Sequence, residues 1–187
     1  MKKSNIIKDT IIFTTITLVL GVMLSGVKIL TQGRIYAIKN QALNNAYREV
    51  CTEYYRGVDV TDKIINRLIV SRAKLLNCKI AYNDSDEQCG YVVMNEINGY
   101  GGNITTLIGF DNSGNVTGLA YPETLQETPG IGMRVEENEF ISRFVGKNKD
   151  SINEVDTLTG ATISSTAVKE SVALASDCVV KAMNIGE

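Results

Sequence analysis

The sequence predicts an α+β fold, in which one N-terminal transmembrane helix precedes an antiparallel-sheet domain with packed helices. Three observations support this prediction. Residues 10–27 carry no charge, the middle of the chain has short β-branched segments separated by glycine, and an apolar stripe at helical spacing follows residue 165. Strands grouped in the middle with helices on both sides indicate helices packed on one sheet.

The uncharged run "TIIFTTITLVLGVMLSGV" is long enough to span a bilayer, since 18 residues at about 1.5 Å each cover roughly 27 Å. No A-x-A-like cleavage site follows it, so an uncleaved anchor is favoured over a signal peptide. Lys2, Lys3 and Lys8 favour a cytoplasmic N-terminus. The expected location is the bacterial cell membrane, single-pass, with the folded domain extracytoplasmic. The expected divisions are a cytoplasmic 1–9, an anchor 10–30, a juxtamembrane linker or helix 31–60, and a domain 61–187.

Small and hydroxyl side chains form a stripe along this anchor, at Thr10, Thr14, Thr17, Gly21 and Ser25. Such a stripe permits close packing against other membrane helices. Alternatively, the threonines simply bond back to their own helix. The pattern leaves both interpretations open.

The domain begins with helical texture and then changes. An amphipathic stretch starts near Thr61 and includes Ile64, Ile65, Leu68, Ile69, Leu75 and Leu76. Next come the strand-like segments "GYVVMNEI", "NITTLIGFD" and "NVTGLAY", with the turn "DNSGN" between the last two. These predict a sheet of about four to six strands. "ENEFISRFVGK" places Phe140 and Phe144 on one side of a short helix, and a final helix from about Ser165 buries Val168, Val172, Ala175, Val179 and Met183.

Composition restricts the chemistry available. The net charge is −2 and the 19 basic residues are scattered, which argues against nucleic-acid binding. Histidine is absent, and so are the usual general base and the commonest metal ligand. No C-x-x-C pair occurs, so neither a metal site nor an iron–sulfur cluster is expected, and no catalytic side chain is assigned. A bound cofactor is therefore an attractive source of chemistry.

The four cysteines stand at positions 51, 78, 89 and 178. Cys78 and Cys89 flank a polar stretch typical of a hairpin loop. They could form a cross-strand disulfide, or they could be two small half-buried residues. Spacing alone leaves the pair undecided.

The segment "DTLTGATISSTAV", residues 156–168, connects an extended stretch to the final helix. Gly160 permits a backbone conformation closed to other residues, and Thr162 lies just ahead of the expected helix start, where an anion is favoured. Ser164, Ser165 and Thr166 can cap the helix. On physical grounds alone, a capped helix behind a glycine turn needs no ligand.

Three motifs nevertheless occur in one order, and together they resemble the FMN-binding domain family. They are "GYGGNITTLIGFD" at 99–111, "ETPGIG" at 127–132 and the threonine-rich "TGAT" core within 156–165. In that family the last threonine of the core is joined to FMN through a phosphoester, which corresponds here to Thr162. Many relatives have a histidine two positions before the loop glutamate; Leu125 stands there in this chain.

The resemblance implies a cofactor site made by all three motifs. FMN is expected to be attached covalently to Thr162, beside Thr159, Gly160 and Ala161. Asp156 is expected either to be recognised by the attaching enzyme or to make a turn contact. The flavin ring is expected against the loop of Glu127, Thr128, Gly130, Ile131 and Gly132, with Tyr100 covering a face or an edge.

With the anchor and the small size, the resemblance narrows to the G subunits of Rnf-type membrane complexes. Those complexes pass electrons between ferredoxin and NAD and translocate Na⁺ or H⁺. The implied role is an electron carrier within a translocase. The implied partners are a second flavinylated subunit, an iron–sulfur membrane subunit and an FMN transferase during maturation. The alternatives are a component like the C subunits of Na⁺-translocating NADH:quinone reductases, whose usual tryptophan is missing here, and a membrane-anchored binding or assembly module without flavin.

Overall fold

The computed structural model describes residues 3–65 and 72–184, with side chains from residue 8 onward. The chain divides into two compact units, Met1–Gln41 and Ala42–Glu187. Leu68 and Ile69, expected in an amphipathic helix, lie outside the described residues, as does Lys2.

The first unit is formed by most of helix α1, Lys3–Val50. Within the described residues, α1 is the one helix long and apolar enough to cross a membrane, and its apolar window is fully exposed. The hydroxyls of Thr14 and Thr17 donate to the carbonyls of Thr10 and Phe13, at 2.9 and 2.8 Å. These threonines therefore satisfy their hydroxyls within the helix, as the second interpretation of the stripe requires.

The second unit contains a five-stranded sheet in which every neighbouring pair is antiparallel. Its strands follow chain order: β1 (Arg56–Asp59), β2 (Lys74–Tyr82), β3 (Gln88–Asn98), β4 (Asn103–Phe110) and β5 (Val116–Ala120). Short turns join β2 to β3 and β4 to β5. In the latter, the Asp111 carboxylate accepts the N–H groups of Ser113 and Asn115, which confirms the turn expected at "DNSGN".

The start of the domain differs from expectation. Helix α2 is described over Thr61–Ile65, and Leu75 and Leu76 lie in β2 rather than in a helix. Two consecutive apolar residues fit the buried face of a helix as well as a strand, so the pattern did not separate the two. Residues 31–60, expected as a linker or helix, contain both the end of α1 and the edge strand β1.

One face of the sheet is covered by helix α4, Thr162–Met183, which packs mainly against β3 and β4. The predicted stripe is confirmed for Val168, Val172, Ala175 and Val179, which are fully buried, while Met183 packs against the core partly buried. The short helix α3, Asn138–Ile141, brings Phe140 and Phe144 into the same core with their ring centroids 5.2 Å apart, edge to face. Two 3₁₀ turns, Gly132–Glu136 and Ile152–Glu154, precede and follow α3.

The opposite face is covered by the last turns of α1. Alternate residues of each strand point to opposite faces, so β2 to β5 supply a second, smaller apolar cluster. That cluster joins strand residues to the end of α1: Ala46, Tyr47, Val50, Cys51, Ala81, Val92, Leu107 and Ala120. Cys78 lies in the α4-side core and Cys89 packs against the α1-side cluster, so these two thiols belong to opposite faces.

Candidate functional site

A cleft of about 490 Å³ lies where the three sequence motifs meet, a size ordinary for a ligand pocket. Its lining comes from Tyr100, from the 127–132 loop and from the first turn of α4. Of the predicted site residues, the structure brings these into the lining: Tyr100, Glu127, Thr128, Ile131, Gly132, Gly160, Ala161 and Thr162. Ile163 and Ser164 complete it.

The chain enters α4 through a tight turn. Gly160 has φ +84°, and the N–H of Ala161 donates to the Leu158 carbonyl at 3.0 Å across the turn. That backbone conformation favours glycine at the third position. Helix α4 then begins at Thr162, three residues earlier than expected. Thr162 is thus the first helical residue, and its side chain is exposed.

The serines do not cap the helix as expected. The N-cap residue is Ala161, and no side-chain cap bond is made. Ser165 is fully buried, and its hydroxyl donates to the Ala161 carbonyl at 2.8 Å while accepting the Leu158 N–H at 3.0 Å. Ser165 therefore connects the glycine turn to the first turn of α4 through two hydrogen bonds.

Glu127 holds the three motifs together. Its side chain is buried, with 6% exposed. Oε1 accepts the Tyr100 N–H at 2.8 Å, and Oε2 accepts the Ser164 hydroxyl at 3.0 Å. Through these two hydrogen bonds, one buried side chain links the "GYGG" segment, the loop and α4.

Two glycines make room for that carboxylate. A Cβ on Gly99 would collide with Glu127 Oε1, and a Cβ on Gly132 would collide with Oε2. The glycines of two motifs therefore make space for the Glu127 carboxylate.

Apolar side chains are exposed around the cleft. Tyr100 is 70% exposed, Ile131 50% and Ile163 53%. These are large exposures for side chains that line one concave site beside the Thr162 hydroxyl. Ile163 was not predicted to line the site. The signal available in the sequence was its position in the third motif, where small residues stand on both sides of it.

The loop uses part of its own hydrogen-bonding capacity. The Thr128 carbonyl accepts the N–H groups of Ile131 and Met133, at 3.1 and 3.2 Å. Those two donors are therefore engaged in the fold of the loop itself. Thr128 itself is exposed and lines the cleft.

Three predicted residues lie outside the cleft lining. Asp156, Thr159 and Gly130 are exposed, and Gly130 has φ +71° in the loop turn. Arg134, which sequence reasoning missed, donates from Nη1 to the Thr159 carbonyl at 3.4 Å and so brings a cation to the glycine corner. Leu125, in the position of the relatives' histidine, is buried in the core.

These features fit a phosphate-bearing planar ligand. The first N–H groups of α4 have no carbonyl partner one turn earlier, and with the helix dipole they favour an anion beside Thr162. The apolar side chains offer surface for a flat ring, and the exposed hydroxyl offers a point of attachment.

Comparison with known proteins also indicates a phosphate-bearing planar ligand, FMN. Residues 99–177 match the FMN-binding domain family. The chain is 32% identical over 101 residues to the G subunit of the proton-translocating ferredoxin:NAD(+) oxidoreductase complex of Clostridium ljungdahlii, covering 49% of this chain and 54% of the relative. It is 29% identical over 141 residues to the G subunit of the ion-translocating oxidoreductase complex of Shewanella oneidensis, covering 60% of this chain and 65% of the relative.

The chain thus spans between about half and two thirds of the length of these curated relatives. The matched segment begins at the first motif and ends within α4, so it encloses every residue of the cleft lining. Residues 99–177 are therefore assigned to the FMN-binding domain family.

Proposed function

We propose that this chain is an electron-transfer subunit that carries FMN covalently on Thr162. It would act within a membrane complex that couples electron transfer between ferredoxin and NAD to Na⁺ or H⁺ translocation. The observation that carries the proposal is the exposed Thr162 at the start of α4, in a cleft made by all three family motifs. The kind of complex is taken from the two relatives, both of which are G subunits of ion-translocating oxidoreductases.

Attachment needs a hydroxyl that a second protein can reach. Thr162 is exposed, while the small residues Gly160 and Ala161 precede it. In the proposed reaction, the Thr162 Oγ1 forms a P–O bond to the FMN phosphorus of FAD, the pyrophosphate bond breaks, AMP leaves and the hydroxyl proton is released. A separate Mg-dependent FMN transferase performs this step. The phosphate then remains near the α4 N-terminus, where its charge is favoured.

The bound flavin supplies one- and two-electron redox chemistry that this histidine-free chain does not. The chain's own residues position it. Tyr100, Ile131 and Ile163 provide apolar contact surface, Thr128 provides an exposed polar group, and Glu127 fixes the distance between the loop and α4. Because the cleft is open, the ring can face a cofactor of a neighbouring subunit.

The apolar window of α1 supports a single-pass membrane anchor. The lysines that precede it favour a cytoplasmic N-terminus, which would leave the FMN domain outside. The partners are then the other subunits of an Rnf-type complex, including a second flavinylated subunit and an iron–sulfur membrane subunit.

Two other functions compete with this one. A component like the C subunits of Na⁺-translocating NADH:quinone reductases would use the same cleft, and both curated relatives are instead G subunits. A binding or assembly module without flavin would use only the apolar surface around the cleft.

Thr162→Ala tests the proposal directly. The full chain is co-expressed with an FMN transferase, denatured, separated on a gel and scanned for flavin fluorescence. We expect a fluorescent wild-type band, no fluorescence from Thr162→Ala, and full fluorescence from the control Thr166→Ala, which changes a half-buried threonine one turn along α4. A dark wild-type band would favour the module, and a fluorescent Thr162→Ala band would move the attachment point.

A further inference from the structure

Two thiols meet on the face of the sheet opposite the cleft. Cys51 directly follows α1 and is buried, with 8% exposed. Cys89 lies at the start of β3 and is half-buried. Their Sγ atoms are 3.4 Å apart, although 38 residues separate them in sequence.

The backbone around Cys51 is held in place. Its N–H donates to the Tyr47 carbonyl and its carbonyl accepts the Tyr54 N–H, both at 3.0 Å. The Thr117 hydroxyl of β5 donates to the preceding Val50 carbonyl at 2.5 Å. Cys89 is held by the β2–β3 ladder, since neighbouring Gln88 and Gly90 pair with Tyr82 and Ala81. The approach of the two sulfurs is therefore set by folded backbone on both sides.

We propose that Cys51 and Cys89 are a disulfide-forming site that joins the end of α1 covalently to the sheet. A disulfide needs its sulfurs about 2.05 Å apart, so rotation of the two side chains has to close the remaining gap. The oxidant is the disulfide of a thiol:disulfide oxidoreductase outside the cytoplasm. The two cysteine thiols lose two hydrogens and become a disulfide, and the oxidoreductase disulfide becomes a dithiol.

Accessibility sets the order of the exchange. Cys89, the more exposed thiol, attacks the oxidant first and forms a mixed disulfide. Cys51 then displaces the oxidoreductase. Burial raises the pKa of the Cys51 thiol to about 12, so its thiolate is scarce at neutral pH.

The remaining cysteines do not compete for either thiol. Cys78 and Cys178 are fully buried in the core under α4. The Cys78–Cys89 disulfide considered from sequence does not fit the fold, because Cys78 lies on the face of the sheet opposite Cys89. The partner proposed for Cys89 is therefore Cys51.

The cross-link would join two parts of the second unit, the end of α1 and the sheet. It closes a loop that contains β1, α2 and β2, and it ties the residue after the membrane helix to a central strand. The end of α1 would then stay on the sheet even if its apolar contacts opened. The inference takes only the extracytoplasmic location from the proposed function, and it needs no flavin.

Differential thiol labelling of the full chain provides the test. Cells are quenched in acid, proteins are denatured, free thiols receive one alkylating tag, and thiols released by reduction receive a second. We expect the second tag on Cys51 and Cys89 and the first on Cys78 and Cys178. Purified protein treated with oxidised glutathione should give the same pair, and reduction should lower the denaturant midpoint.

Single variants give the matched controls. In Cys51→Ser the Cys89 thiol should change to the first tag, and in Cys89→Ser the Cys51 thiol should do so. Cys178→Ala should leave the pair cross-linked. First-tag labelling of Cys51 and Cys89 in wild-type cells would overturn the inference, as would a Cys89 that stays oxidised in Cys51→Ser. Flavin fluorescence scanned in the same samples should be unchanged by Cys51→Ser, so loss of the cross-link and loss of the flavin are read separately.

Discussion

The two faces of the sheet are built on different principles. On the α4 side, a buried carboxylate and buried serines fix the geometry of a cleft, and apolar side chains are exposed around its opening. On the α1 side, the residues that meet are mostly apolar or aromatic. Tyr47 stacks on Tyr54 with ring centroids 4.6 Å apart, and Lys79 lies over the Tyr47 ring.

The two faces differ in what their buried side chains have to do. A buried polar group is costly unless it is satisfied, so a fully bonded Glu127 allows few alternative arrangements of the three motifs. The α1 side needs only to hold a helix end against strands, and it does so mainly by apolar and aromatic contact, with few side-chain hydrogen bonds such as that from Thr117 to the Val50 carbonyl. Substitutions on the two faces should therefore differ in size and in what they affect.

The largest effect is expected from Glu127→Ala. It leaves the Tyr100 N–H and the Ser164 hydroxyl without their acceptor and opens a space between the loop and α4. We expect a loss of about 2–3 kcal/mol in the free energy of unfolding, together with reduced flavin attachment. Denaturant unfolding and in-gel fluorescence measure the two effects.

Glu127→Gln is the matched control for charge, since it keeps the volume and one carbonyl acceptor. It should fall between wild type and Glu127→Ala. If Glu127→Ala unfolds at the wild-type midpoint, the carboxylate does not hold the motifs together and the contrast between the faces is lost.

A smaller effect is expected from Gly160→Ala. Gly160 has φ +84°, and an added Cβ would meet no atom within 4 Å, so the cost is backbone strain alone. That strain is roughly 1 kcal/mol. Gly146→Ala has the same geometry, with φ +78° and equally open space, but lies away from the cleft.

Both variants should therefore lose similar stability by thermal unfolding, while Gly160→Ala alone should slow flavin attachment. If the two variants attach flavin at equal rates, the backbone conformation at Gly160 does not affect attachment at Thr162, and this prediction is wrong.

The smallest effect is expected on the α1 side, from Tyr47→Phe. It removes the bond from Lys79 Nζ to the Tyr47 hydroxyl, 3.1 Å, and keeps the stacked ring. A loss of about 0.5–1 kcal/mol is expected, with no change in flavin attachment. Tyr55→Phe, at a 70% exposed side chain, should leave the unfolding midpoint unchanged. A Tyr47→Phe effect larger than that of Glu127→Ala would reverse the ranking of the faces.

Much of the fold could be predicted from sequence because its signals are local. The β-branched segments, the "DNSGN" turn and the stripe beginning at Val168 each lie within a few residues. The start of α4 was predicted wrongly at Ser165, since serine before an apolar stripe usually caps a helix. Here Ser165 instead bonds backward to Leu158 and Ala161, which requires the turn geometry to be known.

Most of the residues that line the cleft were predicted, but the contacts that they make were not. Motif order placed Tyr100, Glu127 and Thr162 in one site, and the structure gathers them there. The partners of Glu127 lie 27 and 37 residues away along the chain, so its bonds could not be inferred from spacing. The Cys51–Cys89 contact escaped prediction for the same reason.

If Thr162 carries the cofactor as proposed, the order of the elements along the chain also governs when it can be added. The five strands of the described sheet precede residue 162, and the proposed acceptor lies on the helix that closes the core over them. A nascent polypeptide interrupted before that helix lacks the proposed acceptor hydroxyl. One interrupted soon afterwards lacks the apolar stripe that packs α4 against the sheet. Flavin loading would therefore report completed folding, and only finished domains would enter the electron path.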